Sequence, residues 1–214
     1  MRASRSLRLL LPLLLATGCQ SAYYATMEKF GVHKRDILVE EVEEGRAEQK
    51  EAAEQFQTTY EVFRDLTGYK GGDLEDIYDK LSGELEDCEE DAGDLRTHIE
   101  DIERVATDLF DEWHDELGQM EDASLRRQSE TMLKDTRARY GDLIKAMERA
   151  EDKMEPVLQA FRDHVLFLKH NLNAKAIAAL QDVVVDIEDD VARLVAEMQK
   201  SIAEADEFLK AMES

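Results

Sequence analysis

Fifty acidic side chains, five histidines and two cysteines carry most of the reactive chemistry available to this 214-residue chain. Asp111, His114 and Asp115 stand at i, i+3 and i+4, so one helical face could offer a nitrogen and two carboxylates to a divalent metal. At this density of acids such a triplet also arises by chance, and a solvated face is the competing reading. Glu89-Glu90-Asp91 and the acids between Asp186 and Asp190 could collect calcium or magnesium loosely. They lack the alternating oxygen ligands and mid-loop glycine of an EF-hand, and a helix cannot wrap them round one ion. Cys88 sits among Glu86, Asp87, Glu89, Glu90 and Asp91, which discourage the thiolate and blunt its nucleophilicity. It reads as a small apolar core residue, with an intermolecular disulfide or redox role as the alternative. There is no Gly-x-Ser-x-Gly elbow, phosphate loop or dinucleotide fingerprint. Gly71-Gly72 opens a helix, but Asp73, Glu75 and Asp76 follow and would repel phosphate. No catalytic residue is assigned, no cofactor is expected, and an enzyme is not expected, although a bundle core can house a site without a linear motif.

The elements that would position these residues are helices. The chain holds 27 Lys+Arg against 50 Asp+Glu, a formal charge of −23, with 43% hydrophobic residues and two prolines. That hydrophobic share argues against a purely disordered acidic tail. Two cysteines exclude a disulfide framework, scarce turn residues argue against a β-sandwich, and the acidity opposes nucleic acid as a partner. Steps of three and four run through Leu74, Tyr78, Leu81, Leu85, Cys88, Ala92, Leu95, Ile99, Ile102, Ala106, Leu109 and Trp113. Weaker or equal patterns run from Leu38 to Phe63, Leu125 to Leu168 and Ile177 to Met212. Breaks at Gly68–Asp73, Gly118–Ser124 and Asn171–Asn173 divide the chain into helices at about 21–67, 73–118, 123–170 and 173–212, with Asp73, Asp122 or Ser124, and Asn173 as N-caps. Pro156 should kink the third. The expected fold is all-α, one elongated, antiparallel, up-down-up-down four-helix coiled-coil-like bundle over 19–214. The rival is a set of helical hairpins that completes its core as a homodimer. Residues 73–122 carry 21 acids against Lys80, Arg96 and Arg104, whereas 123–175 carry 8 acids and 11 bases, so the second and third helices should pack together.

The first residues read as an address. Arg2, Arg5 and Arg8 precede an apolar run from Leu7 to Leu15 broken by Pro12, too short to span a bilayer. Ala16-Thr17-Gly18-Cys19 resembles a bacterial lipobox, with Ala16 in place of the usual leucine. Residues 1–18 are then a lipoprotein signal peptide, and Cys19 carries diacylglycerol and a fatty acyl group as a stable membrane anchor. An ordinary signal peptide with a chance cysteine is the alternative. By resemblance to bacterial sorting, Gln20 directs the protein to the periplasmic face of the outer membrane. Cleavage leaves 24 bases against 50 acids, a net of −26.

The 157–180 segment departs from the general acidity, with Asp163 against Arg162, Lys169 and Lys175. Val165-Leu166-Phe167-Leu168 cannot all point inward on one stripe. In the bundle this segment and Lys70 meet at the end away from the anchor. Lys70, Phe167, Lys169, His170, Asn171, Asn173 and Lys175 are candidates for a tip that binds an envelope protein or an anionic envelope component; burial under a neighbouring turn is the alternative.

The stretch from Cys19-Gln20-Ser21-Ala22-Tyr23-Tyr24 to Ile37-Leu38-Val39, and that from Phe161-Arg162-Asp163-His164 to Lys175-Ala176, resemble an uncharacterised family of proteobacterial lipoproteins, domain-of-unknown-function family 2959. The resemblance covers the mature chain and implies a periplasm-facing helical lipoprotein; it brings no activity, cofactor or catalytic residue. The expected role is a non-enzymatic structural or protein-interaction module. A chaperone-like or ligand-binding bundle is the alternative, and an envelope hydrolase is the weakest reading.

Overall fold

The structure, a computed structural model, describes Tyr24, Met27 and residues 32–68, 74–181 and 183–213. Five helices follow in order: α1 Lys34–Thr67, α2 Leu74–Leu117, α3 Ala123–His170, α4 Ala174–Leu180 and α5 Val184–Glu213. The four long ones form a closed ring in which α1 packs on α2 and α5, and α3 packs on α2 and α5. All neighbours are antiparallel: Lys34 meets Glu112 and Gln55 meets Glu84 across α1–α2, while Arg46 meets Asp206 and Gln181 meets Thr67 along α1–α5 and its end. At 48 residues α3 spans about 72 Å. A single chain therefore surrounds an apolar core with four long helices.

The heptad positions supply that core. Leu38, Val42, Phe56 and Phe63 of α1 meet Leu81, Cys88, Leu95 and Ile102 of α2, Met147, Met154 and Phe161 of α3, and Leu194, Met198 and Phe208 of α5. Phe63 and Phe161 meet edge to face at 6.4 Å. At Gly45 a Cβ would come within 2.9 Å of Ile102 Cδ1 and 3.3 Å of Met147 Cε, so the missing side chain lets α1 approach its neighbours. One layer is polar. Gln49 of α1 and Ser201 of α5 are fully buried, and the antiparallel register sets them opposite one another. Both polar atoms of Gln49 and the Ser201 hydroxyl lack hydrogen-bond partners.

Two expected helices are shorter than expected. The first does not run unbroken from 21 to 67. Val32 and His33 are not helical: Val32 N donates to the Met27 carbonyl at 3.1 Å, and extended His33 donates its backbone N–H to the Asp36 carboxylate at 3.1 Å to open α1. The fourth splits into α4 and α5. Val183 N bonds back to Leu180 O at 3.1 Å, and the Gln181 side chain donates to the Thr67 carbonyl at 3.0 Å, capping α1 instead of lying along a continuous helix. Val183, Val184 and Val185, three β-branched residues in a row, weaken helix continuity at that point. The remaining ends follow the capping chemistry. Asp122 Oδ1 accepts from Ser124 N and Leu125 N at 2.7 and 3.1 Å, and Asn173 Oδ1 accepts from Lys175 N and Ala176 N, both at 3.1 Å. The expected Asp73 cap and the turn around it lie outside the described residues. α3 continues through Pro156, which is exposed; Asp152, whose carbonyl the proline leaves unpaired, is exposed too, so water can serve it.

Truncating Phe161 to Ala should cost about 3–5 kcal/mol in urea unfolding, whereas Leu166→Ala, at an exposed position, should cost under about 0.5 kcal/mol. Gln49→Met, which removes an orphaned buried amide at similar volume, should stabilise the protein by about 1–3 kcal/mol.

Candidate functional site

Asp111, His114 and Asp115, the weak metal candidate, do not converge as ligands, in keeping with the solvated-face reading. The one group of metal-ligating side chains that converges among the described residues lies elsewhere. Arg137 of α3 explains the difference: it donates to the Phe110 carbonyl at 3.0 Å, lies over the Phe110 ring and approaches Asp111 at 3.9 Å. His114 turns into a groove of about 680 Å³ with Arg126, Glu130, Lys134 and Arg137 over Leu117 and Leu133. A cationic wall of this kind repels a metal ion.

Charge is distributed unequally on the two sides of α2. Toward α3 it is neutralised as the helix charges suggested. Arg162 pairs with Glu89 and with Glu155 at 2.6 Å, and Arg96 reaches Glu151 at 3.2 Å and Glu155 at 3.3 Å. Toward α1 acid faces acid. Glu41 lies beside Asp101 and His98, and Glu48 and Glu51 lie beside Asp91, with Asp94 also near Glu48. Partial burial, then these neighbouring carboxylates, push the Glu41, Glu48 and Asp91 carboxyls above their ordinary values. Arg104, paired with Asp101, is the cation at one end of this array. Within it, ligand atoms of Glu41, Glu44 and His98 lie within 4.8 Å of one another. Sequence reading missed this group because it is divided between two helices. Its signal is the matching three-four-three spacing of Glu41, Glu44, Glu48 and Glu51 and, on α2, of Asp91, Asp94, His98 and Asp101.

The Cys88 thiol is fully buried, and desolvation pushes its pKa up to about 12, with a hydrogen bond to Thr59 opposing the shift and Asp91, Glu89 and Asp87 adding to it. Thr59 also donates to the Glu84 carbonyl at 3.1 Å, so this polar contact joins α1 to α2. A disulfide between copies would require the bundle to open.

At the 171–173 end, Val165 and Leu168 point inward while Leu166 and Phe167 remain 57% and 40% exposed. The consecutive apolar residues thus divide between core and surface. Lys169, His170 and Lys175 are exposed. Asn171 and Asn173 spend their side chains locally: Asn171 Nδ2 donates to the Phe167 carbonyl at 3.0 Å, and Asn173 caps α4. Lys70 and Cys19 lie outside the described residues. The sequence pointed to no groove at the opposite end, yet several gather there, beside the start of α1. Besides the basic one, Met120, Leu125 and Met132 line an apolar depression of about 400 Å³. Leu125 and Met132, near the start of α3, are 58% and 54% exposed.

Two outcomes follow from this geometry. In the chain from Gln20 onward, which contains every described residue, Cys88 is the single thiol; it should resist a disulfide reagent at pH 8 and react within seconds once unfolded in urea. Carboxyls raised in the folded state favour folding below their unfolded values and lose that contribution as pH rises through their folded values. Melting with a chelator present should therefore show the seam gaining stability as pH falls from 7 toward 4.5. His164, lowered by burial, opposes this because its contribution is lost as pH falls from above 6.5. The double variant Glu41→Gln/Glu48→Gln isolates the seam: it should exceed the parent by roughly 0.5 kcal/mol at pH 7 and match it near pH 4.

No helix among the described residues is long and apolar enough to cross a membrane. No curated protein and no solved structure matches the chain at a significant level. A family model described as "Protein of unknown function (DUF2959)" matches residues 23–212, from before the start of α1 to the last turn of α5. Because that match takes in all five helices, the chain belongs to the DUF2959 family.

Proposed function

We propose that the protein is a non-enzymatic, lipid-anchored spacer and interaction module of the bacterial cell envelope, tethered through Cys19 to the periplasmic face of the outer membrane. The observation that carries the reading is the apolar core running through four long antiparallel helices, with α3 about 72 Å in length. Fourteen residues separate Cys19 from Lys34, and α1 then runs away from the anchored end. The 171–173 turn stands at the far end, where Phe167, Lys169, His170 and Lys175 are offered to an envelope protein or an anionic envelope component.

The apolar depression at Met120, Leu125 and Met132 favours a second reading, a chaperone-like or ligand-binding bundle that accepts an apolar segment at the anchored end.

Cys19→Ala should move the protein from the membrane to the soluble fraction and abolish fatty-acid labelling; retention of both contradicts the anchor. Lys169→Glu/Lys175→Glu should remove the crosslinks made in cells by the intact lipoprotein, whereas Met132→Glu should spare them. The opposite pattern favours the second reading.

A further inference from the structure

The α1–α2 seam places like charges where two helices meet, and it does so around a histidine. Glu41 and Glu44 lie one turn apart on α1, and His98 faces them from α2. We propose that Glu41, Glu44 and His98 form a site for one divalent transition-metal ion of borderline softness, with zinc as its representative, which clamps α1 to α2 midway along the rod. This assignment is independent of the lipid-anchor reading.

Three features point to a ligand beyond the mere presence of acids. The ligand atoms already lie within 4.8 Å of one another. Ligands about 2.1 Å from a tetrahedral zinc stand roughly 3.4 Å apart, so small side-chain rotations close the site without moving a helix. The Nδ1 atom of His98 is buried and has no hydrogen-bond partner. A buried polar nitrogen left unpaired is costly, and an ion bound at it would supply the missing partner. The third feature is the backbone. Gly45 follows Glu44, and a Cβ there would lie 3.6 Å from the Cβ of His98 and 2.9 Å from Ile102 Cδ1. Glycine at this point lets α1 come close enough for Glu41 and Glu44, in the turn before it, to reach the imidazole.

The donor set also selects the metal. One nitrogen and two carboxylate oxygens suit zinc and its first-row neighbours, while calcium requires six to eight oxygens. Three protein ligands leave further positions to water. Around them, Glu48, Asp94 and Asp101 keep the potential negative, and Arg104 is engaged with Asp101. An ion here would also relieve the repulsion described for the seam.

The test titrates the chain from Gln20 onward with zinc at pH 7.5 against a chromophoric chelator, alongside Glu44→Gln, His98→Ala and the control Asp111→Asn/His114→Ala. Glu44 is exposed, so its amide variant should keep the fold; helicity and melting in chelator check this for each variant. The expected result is one equivalent of zinc in the parent and in the control, undisturbed by millimolar calcium. Affinity should fall roughly 10- to 100-fold in both Glu44→Gln and His98→Ala, and zinc should raise the melting temperature of the parent but not of His98→Ala. Absence of binding, unchanged affinity in either seam variant, or displacement by calcium overturns the site.

Discussion

Helix α2 carries so many carboxylates that each helix beside it must either neutralise them or be held against them by apolar contact. The two sides of α2 adopt different solutions. Toward α3, Arg162 with Glu89 and Arg96 with Glu151 and Glu155 tie the acidic helix to the one with a basic excess. Toward α1, Glu41, Glu48 and Glu51 confront Asp101, Asp94 and Asp91 across a seam that Val42, Ala52, Leu95 and Ile102 close from within. Exposed ion pairs contribute at most about 1 kcal/mol each, whereas each fully buried Leu, Ile or Val contributes about 1.5–3 kcal/mol. Apolar contact therefore decides the fold, and the unrelieved charge on the α1 side is what a proton or a cation can act upon.

The two ends of the rod are finished differently, and this matters more for function than the middle does. At the 171–173 turn, Asn171, Asn173 and Gln181 satisfy backbone groups of α3, α4 and α1, so the end is closed by capping and leaves Phe167, Lys169 and Lys175 on the surface. At the other end Leu125 and Met132 stand exposed near the start of α3, and grooves open there and beside the start of α1. One end thus offers a small basic tip, the other an apolar ledge with a basic groove.

Much of this architecture was legible from heptads because α2 repeats its apolar positions without a fault from Leu81 to Leu109, and buried positions match them. Asp122, Asn173 and Gly118 were equally readable, since capping is local chemistry. Where the reading failed, tertiary contact outweighed periodicity. Ile177, Leu180 and Ile187 keep the phase of one helix, yet Gln181 turns to Thr67 and the helix breaks. The contact of Arg137 from α3 with Asp111 and the Phe110 carbonyl was likewise beyond any pattern within α2. The Glu41–Glu44–His98 group escaped for the same reason: its members become neighbours only when α1 and α2 are aligned in antiparallel register.

The salt dependence of stability tests the central claim most directly, namely that apolar contact holds α1 and α2 together against their charge. Urea unfolding of the chain from Gln20 onward, with chelator present, would be followed between about 0.01 M and about 0.3 M sodium chloride, over which the screening length falls from about 30 Å to less than 10 Å. The account predicts a midpoint that rises with salt, and rises less in Glu41→Gln/Glu48→Gln. A midpoint that falls would mean that the α2–α3 ion pairs carry the fold, and would contradict it.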